Sequence, residues 1–282
     1  MKKNIHFINN LKFKTMKKLS VFAIAFAAFA FAACTGQKSN QNTDTADSLK
    51  SFEQEQIEAS IKVQIDSISA ELGKLQQLPF LQENNGGLTL TKEEKQVKPE
   101  YLLNANVIEE ANTLAEKYRL LSALMVDKKI AALYEMSLDD YDKAIAKLSA
   151  DINDPSFKAV EDTNTLYETT TTLYDAMNEN GRINYFWQLA AAALVEQLYV
   201  VNQNSDKFLT VFNDDAASNV TYRIILLLDA VKRLEAYDPE IKPVADALAP
   251  LNVLNATSVA ELKTQLTNAK EQIEAARKAL VK

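Results

Sequence analysis

The side chains of this chain that could do chemistry are acids, tyrosines and a few arginines, because the usual catalytic residues are nearly absent. The only histidine is His6 and the only cysteine is Cys34. Everything after residue 34 therefore lacks an imidazole to act as general base or metal ligand, and lacks a thiol nucleophile. That excludes serine–histidine and cysteine–histidine hydrolases, ordinary zinc sites and histidine-ligated haem from this stretch. No disulfide can form within one chain. No cofactor box is present, so the expectation is no cofactor, no metal and no catalytic residue.

Among the acids, Glu196 stands apart. It is the only charged residue between Arg182 and Asp206, within a run that also carries Trp187, Leu194, Val195, Leu198, Val200 and Val201. A carboxylate in such a run must either find a basic partner or hold its proton more tightly. Arg119, Arg223 and Lys232 are the partners considered. Glu196 and Trp187, with Tyr185 and Phe186 close by, also mark the place where a pocket between helices would form. Asp139, Asp140 and Asp142 are the densest acidic cluster, with Asp151 and Asp154 beyond them. A calcium loop needs six or more oxygens and a Gly-containing DxDxDG spacing, which is missing. Helix capping and dipole compensation account for these acids, and for Asp214-Asp215. A glycosidase would need two acids at a set separation, and no spacing here demands one.

The elements that must position these residues are helical. With 47% hydrophobic and 24% charged residues the composition is globular, and 5 Gly and 6 Pro are too few turn formers for a many-stranded sheet. Ile61, Ile65, Ile68, Leu72 and Leu75 make a heptad-spaced stripe in a helix predicted from about Asp47 to Gln77. Pro79 ends it, Asn84-Asn85-Gly86-Gly87 forms a turn, and Thr91 to Glu94 has the pattern of a capped helix start. A helix is predicted from Pro99 towards Met136, with Leu103, Val107, Tyr118, Leu121 and Met125 inward. Others are predicted from Ser137-Leu138-Asp139, from Asp154-Pro155 to Gly181, over 182–203, and around Val220 to Val231. The 182–203 helix is apolar nearly all round and so should be central. A short helix lies among Pro239, Pro243 and Pro250, and a last one begins at the capping pattern Ser258-Val259-Ala260-Glu261. The predicted fold is all-α, an up-and-down bundle of about six to eight helices with no β-sheet.

The start of the chain carries a different kind of signal. From Met16 the sequence has a short basic segment, an uncharged run from Leu19 to Ala33 too short to span a bilayer, and small residues before Cys34. Phe31-Ala32-Ala33-Cys34 resembles the lipobox of bacterial lipoproteins, with Phe31 where Leu is usual. The resemblance covers residues 16–34 and implies a signal peptide over 1–33, with Met16 as an alternative start. It also implies diacylglycerol on the Cys34 thiol and acylation of its new amino terminus, a firm membrane anchor. Residues 34–47 would be a tether and 48–282 a single helical domain. Thr35 after the cysteine, by the same resemblance, implies the outer membrane, and the periplasmic leaflet is the expected side. Thr45, Ser48 and Ser67 each stand after an Asp and before an apolar or small residue, resembling an acceptor motif of bacterial protein O-glycosylation.

The first 33 residues hold six lysines and no acid, so residues 34–282 have 25 basic and 38 acidic side chains, a net charge of −13. That surface repels phosphate backbones, which argues against nucleic acid as a partner. The expected partners are the membrane through lipid, and another envelope protein or a glycan. The expected role is a non-enzymatic interaction or accessory module. Alternatives are a ligand-binding protein with a pocket between helices, and a carboxylate-only enzyme such as a glycan hydrolase.

Overall fold

A computed structural model describes residues 51–63, 78–160 and 166–281, all within one compact unit, Leu49–Lys282. Cys34, Thr45, Ser48 and Ser67 lie outside the described residues, as does the stripe from Ile65 to Leu75. The fold is an all-α bundle with no strand among the described residues. Among the described residues its α-helices of five residues or more are α1 (51–63), α2 (Lys92–Gln96), α3 (Leu114–Leu133), α4 (Asp139–Ile152), α5 (Leu166–Glu179) and α6 (Ile183–Gln203). They continue as α7 (Asp214–Leu234), α8 (Lys242–Leu248), α9 (Val259–Asn268) and α10 (Lys270–Leu280). None of the described helices is long and apolar enough to cross a membrane.

Helix α6 is the axis of the bundle. None of its residues is exposed, and it packs on α3, α5, α7 and α10, the α3–α6 contact being the most extensive in the molecule. Sequence neighbours also pair, α3 with α4 and α7 with α8, as short connections require. Trp187 is central to the aromatic core. It is 2% exposed, with Phe186 edge-on at 4.9 Å and Tyr174 at 5.9 Å.

Local chemistry sets the helix ends. At α2 the Thr91 hydroxyl accepts from Glu94 N–H at 3.2 Å while the Glu94 carboxylate accepts from Thr91 N–H at 2.7 Å, a reciprocal capping box. Asn213 caps α7 by accepting from Ala216 N–H. After α5 the chain turns through Gly181, φ +66°, and Arg182 N–H returns to Met177 C=O, which satisfies carbonyls the helix end leaves orphaned. Asn84, Asn85 and Gly86 form a left-handed turn at φ of 52, 53 and 59°. A β-carbon on Gly86 would lie 2.3 Å from the Pro79 carbonyl oxygen, so this position admits only glycine.

Three expectations need correction. The helix predicted from Pro99 begins instead at Leu114. Residues 97–113 form a strap with one 3-10 turn, Ala105–Glu110, opened by Asn104, whose side chain accepts from Asn106 N–H. The start of α3 is a second capping box, Thr113 with Glu116, at the spacing that marks Thr91 and Glu94. Met125, expected inward, is 55% exposed. The last helix is broken at Ala269 into α9 and α10. Thr264 and Thr267 donate to the Ala260 and Lys263 carbonyls, back-bonds of the sort that bend helices. The stripe survives the bend, with Leu262, Leu266, Ala269, Ile273, Ala276 and Leu280 all buried.

Leu266 is fully buried at that bend. Leu266→Asp should therefore lower stability by about 3 kcal/mol or more, read as a fall in the urea midpoint. An unchanged midpoint would show that α9 is not docked.

Candidate functional site: a buried carboxyl pair beneath a surface cleft

The acid singled out in α6 sits at the densest polar cluster of the described core. Glu196 is wholly buried and its partner is Arg277 of α10. Arg277 Nε donates to Oε2 at 2.8 Å and to Oε1 at 3.1 Å, and Nη2 donates to Oε1 at 2.9 Å. Nη2 also donates to the Tyr101 carbonyl at 3.2 Å. The guanidinium lies 4.0 Å from the centroid of the Tyr199 ring, one turn beyond Glu196 on the same helix, a cation–π contact that fixes its plane. Tyr101 meets Tyr199 edge-on at 6.4 Å.

A second carboxyl group completes the cluster. Asp127 of α3 is also wholly buried, and its Oδ2 accepts from Leu103 N–H at 2.7 Å. Its Oδ1 has no hydrogen-bond partner among the described residues, and the Glu196 carboxyl group lies near enough for the two acids to perturb each other. Two acids brought close together away from water disfavour double ionisation, so one of them holds its proton more tightly. Burial drives the Asp127 carboxyl well above the ordinary carboxylate range, and the charge on Glu196 pushes the same way against Leu103 N–H and Arg277. Burial also raises Glu196, but Arg277 bonds to its charged form and opposes the rise. Of the two acids, Asp127 is therefore the one that burial and its neighbour push furthest towards the protonated form. For Arg277, burial favours the neutral form, but contact with Glu196 outweighs it and raises the guanidinium's affinity for its proton.

This cluster holds the strap. Leu103 N–H goes to Asp127 and Leu103 C=O accepts from the Tyr141 hydroxyl at 2.9 Å. Tyr101 C=O accepts from Arg277. Backbone groups that left regular structure are thereby satisfied by side chains from α3, α4 and α10. Burial raises the Tyr101 and Tyr141 hydroxyls far from ionisation. Above the strap lies an open cleft of about 470 Å³, walled by Tyr101, Asn104, Asn106, Tyr199 and Arg277, with the exposed Glu100 and Glu110 at its sides.

The partners considered for Glu196 are used elsewhere. Arg119 donates from Nε to Leu280 C=O at 2.8 Å and from Nη1 to Gln188 at 2.7 Å, closing the end of α10. Arg223 donates to Gln197 at 3.3 Å, and Lys232 is exposed. Trp187 lies in the core and does not line the cleft. The acids of α4 are surface groups: Asp142 pairs with Lys128 and Asp151 with Lys117. Asp154 accepts from Ser156 N–H and from the Tyr118 hydroxyl. Asp214 accepts from Val259 N–H. Among the described residues no group of three acids is placed to hold a metal ion.

Sequence reasoning misses Arg277 and Asp127, yet both carry a signal. Each is a charge on an apolar stripe, Arg277 between Ile273 and Leu280, and Asp127 between Leu124 and Ile130. A charge at such a position has to meet a buried partner.

Asp127→Asn should keep or raise stability, because the amide can accept from Leu103 and donate to Glu196. Asp127→Ala should cost about 2 kcal/mol or more by leaving those groups unmet. Because the folded state raises Asp127 above its usual 3.8, its stabilising contribution is whole below that pH. It disappears as pH rises through the folded-state value. Urea midpoints measured upward from about pH 4 should therefore fall more steeply for wild type than for Asp127→Asn; parallel curves would show that burial does not raise Asp127.

Glu196→Gln strips Arg277 of its counter-ion and should cost about 3–5 kcal/mol. A variant as stable as wild type would mean that Arg277 does not need it. The chain matches no family model, no curated protein and no solved structure, so the buried cluster and its cleft are the physical basis for assigning a function.

Proposed function

We propose that the protein is an envelope lipoprotein whose helical domain is a non-enzymatic interaction or accessory module, tethered by lipid on Cys34. The observation that carries the non-enzymatic part is the state of its convergent acids. Asp127 and Glu196 are the acids that converge in the described core, and both are wholly buried. Asp127 accepts from Leu103 N–H, and both oxygens of Glu196 accept from Arg277. A general acid or base must reach the substrate within hydrogen-bond distance, and these are turned to holding the strap.

The anchor rests on the Phe31-Ala32-Ala33-Cys34 segment and its resemblance to a lipobox. Two or three acyl chains there would hold the domain at the outer membrane, on the periplasmic side. A net negative domain would then stand off anionic lipid and be free to meet an envelope protein or a glycan. A second reading, small-ligand binding, is favoured by one observation, the polar cleft beside Arg277 and Tyr199.

Expressed in a bacterial host, the wild-type protein should fractionate with membranes and enter the detergent-rich phase on phase separation. Cys34→Ser should move to the soluble fraction. Wild type in the aqueous phase would overturn the anchor.

A further inference from the structure

We propose that the cleft over the strap is a binding site for a neutral, hydroxyl-rich ligand, an oligosaccharide segment, and that Arg277 is its fixed donor. This rests on the domain being a binding module and not an enzyme. Arg277 uses Nε and Nη2 on Glu196 and Tyr101, while Nη1 has no partner among the described residues. The side chain is 14% exposed and lines the cleft. Its plane is held by Glu196 on one edge and by the Tyr199 ring on one face. The free N–H edge is therefore presented without the loss of side-chain freedom that a surface arginine would suffer on binding.

The chemistry of the walls selects the ligand. The charge of Arg277 is already balanced by Glu196, so Nη1 offers hydrogen bonds without a net positive field. The remaining charges at the cleft are Glu100 and Glu110, which repel carboxylates and phosphates and accept hydrogen bonds from hydroxyls. Asn104 and Asn106 add amides that both donate and accept. Tyr101 and Tyr199 supply aromatic surface of the kind that packs on sugar C–H groups. Amide and arginine donors, carboxylate acceptors and the aromatic and apolar surface of Tyr101, Tyr199, Leu102 and Val107 line one cleft, a mixture that matches a neutral sugar, whereas an anion meets two like charges and a wholly apolar ligand leaves the polar groups unpaired. The cleft is open and its size, about 470 Å³, exceeds a single sugar ring.

The test uses the purified full-length protein in a zwitterionic detergent, since glycoside detergents would compete. Maltotriose, N-acetylated chitotriose and trigalacturonate are each offered at millimolar concentration in ligand-observed saturation-transfer NMR. At least one neutral trisaccharide should bind, with Kd on the order of 1 mM, and trigalacturonate should not. Asn106→Trp fills the cleft from an exposed position without touching the Glu196 pair and should weaken binding at least about tenfold. Glu110→Gln should weaken it by a smaller factor. Binding of neither neutral sugar, equal binding of trigalacturonate, or binding unchanged in Asn106→Trp would each overturn the site. The sugar's own spectrum tests the reading beneath it separately: a ligand that binds and stays intact keeps both, while cleavage would sink the non-enzymatic role and leave the site standing.

Discussion

The bundle is organised around one ion pair, the buried Glu196 with Arg277 at the floor of the cleft, and the buried Asp127 beside it. Placing two acids and one guanidinium in a core is costly, since each ion loses its water. The cost is limited here because the cluster carries no net charge once Asp127 is protonated, and because both acids are tied to donors. Arg277 gives three short bonds to Glu196, and Leu103 N–H meets the second oxygen of Asp127. Three helices that are far apart in sequence, α3, α6 and α10, are thereby pinned at one level of the bundle. Apolar packing alone would allow these helices to slide, because a methyl group has many equivalent neighbours and a guanidinium has few.

The strap depends on the same cluster. Segment 97–113 has one short 3-10 turn and otherwise no regular ladder, so its buried backbone groups need other partners. Asp127, Tyr141 and Arg277 supply them at Leu103 and Tyr101. The cleft is a consequence: an irregular segment cannot pack as closely as a helix, and the space it leaves is bounded by the arginine that holds it. Stability and surface recognition are therefore coupled through one side chain, whose inner edge is structural and whose outer edge is free.

Elsewhere the polar groups work locally. Capping boxes at Thr91 and Thr113 and the Asn213 cap fix where helices begin. Lys207 reaches Glu94 at 2.9 Å and so links the start of α2 to the turn after α6. Surface pairs such as Lys242 with Asp246 contribute little in solvent. The acids that are dense in sequence, at the start of α4, are of this kind.

From the sequence alone the helical class, the central place of the 182–203 helix and the burial of Glu196 could be read, because periodicity and the absence of charge are local properties. The capping box at Thr113 is equally local and moves the start of α3 from Pro99 to Leu114. The need for a basic partner to Glu196 was also legible, since a lone carboxylate in an apolar run cannot stay dry unpaired. Which base answers it was not: Arg119, Arg223 and Arg277 all sit on helices that pack against α6 or its neighbours, and the choice depends on how α6 and α10 rotate and slide against each other. Pairing across 81 positions of sequence is set by packing of whole helices, which leaves no trace in spacing. The upward shift of Asp127 belongs to the same class, for it arises only because tertiary structure buries two acids from α3 and α6 beside each other.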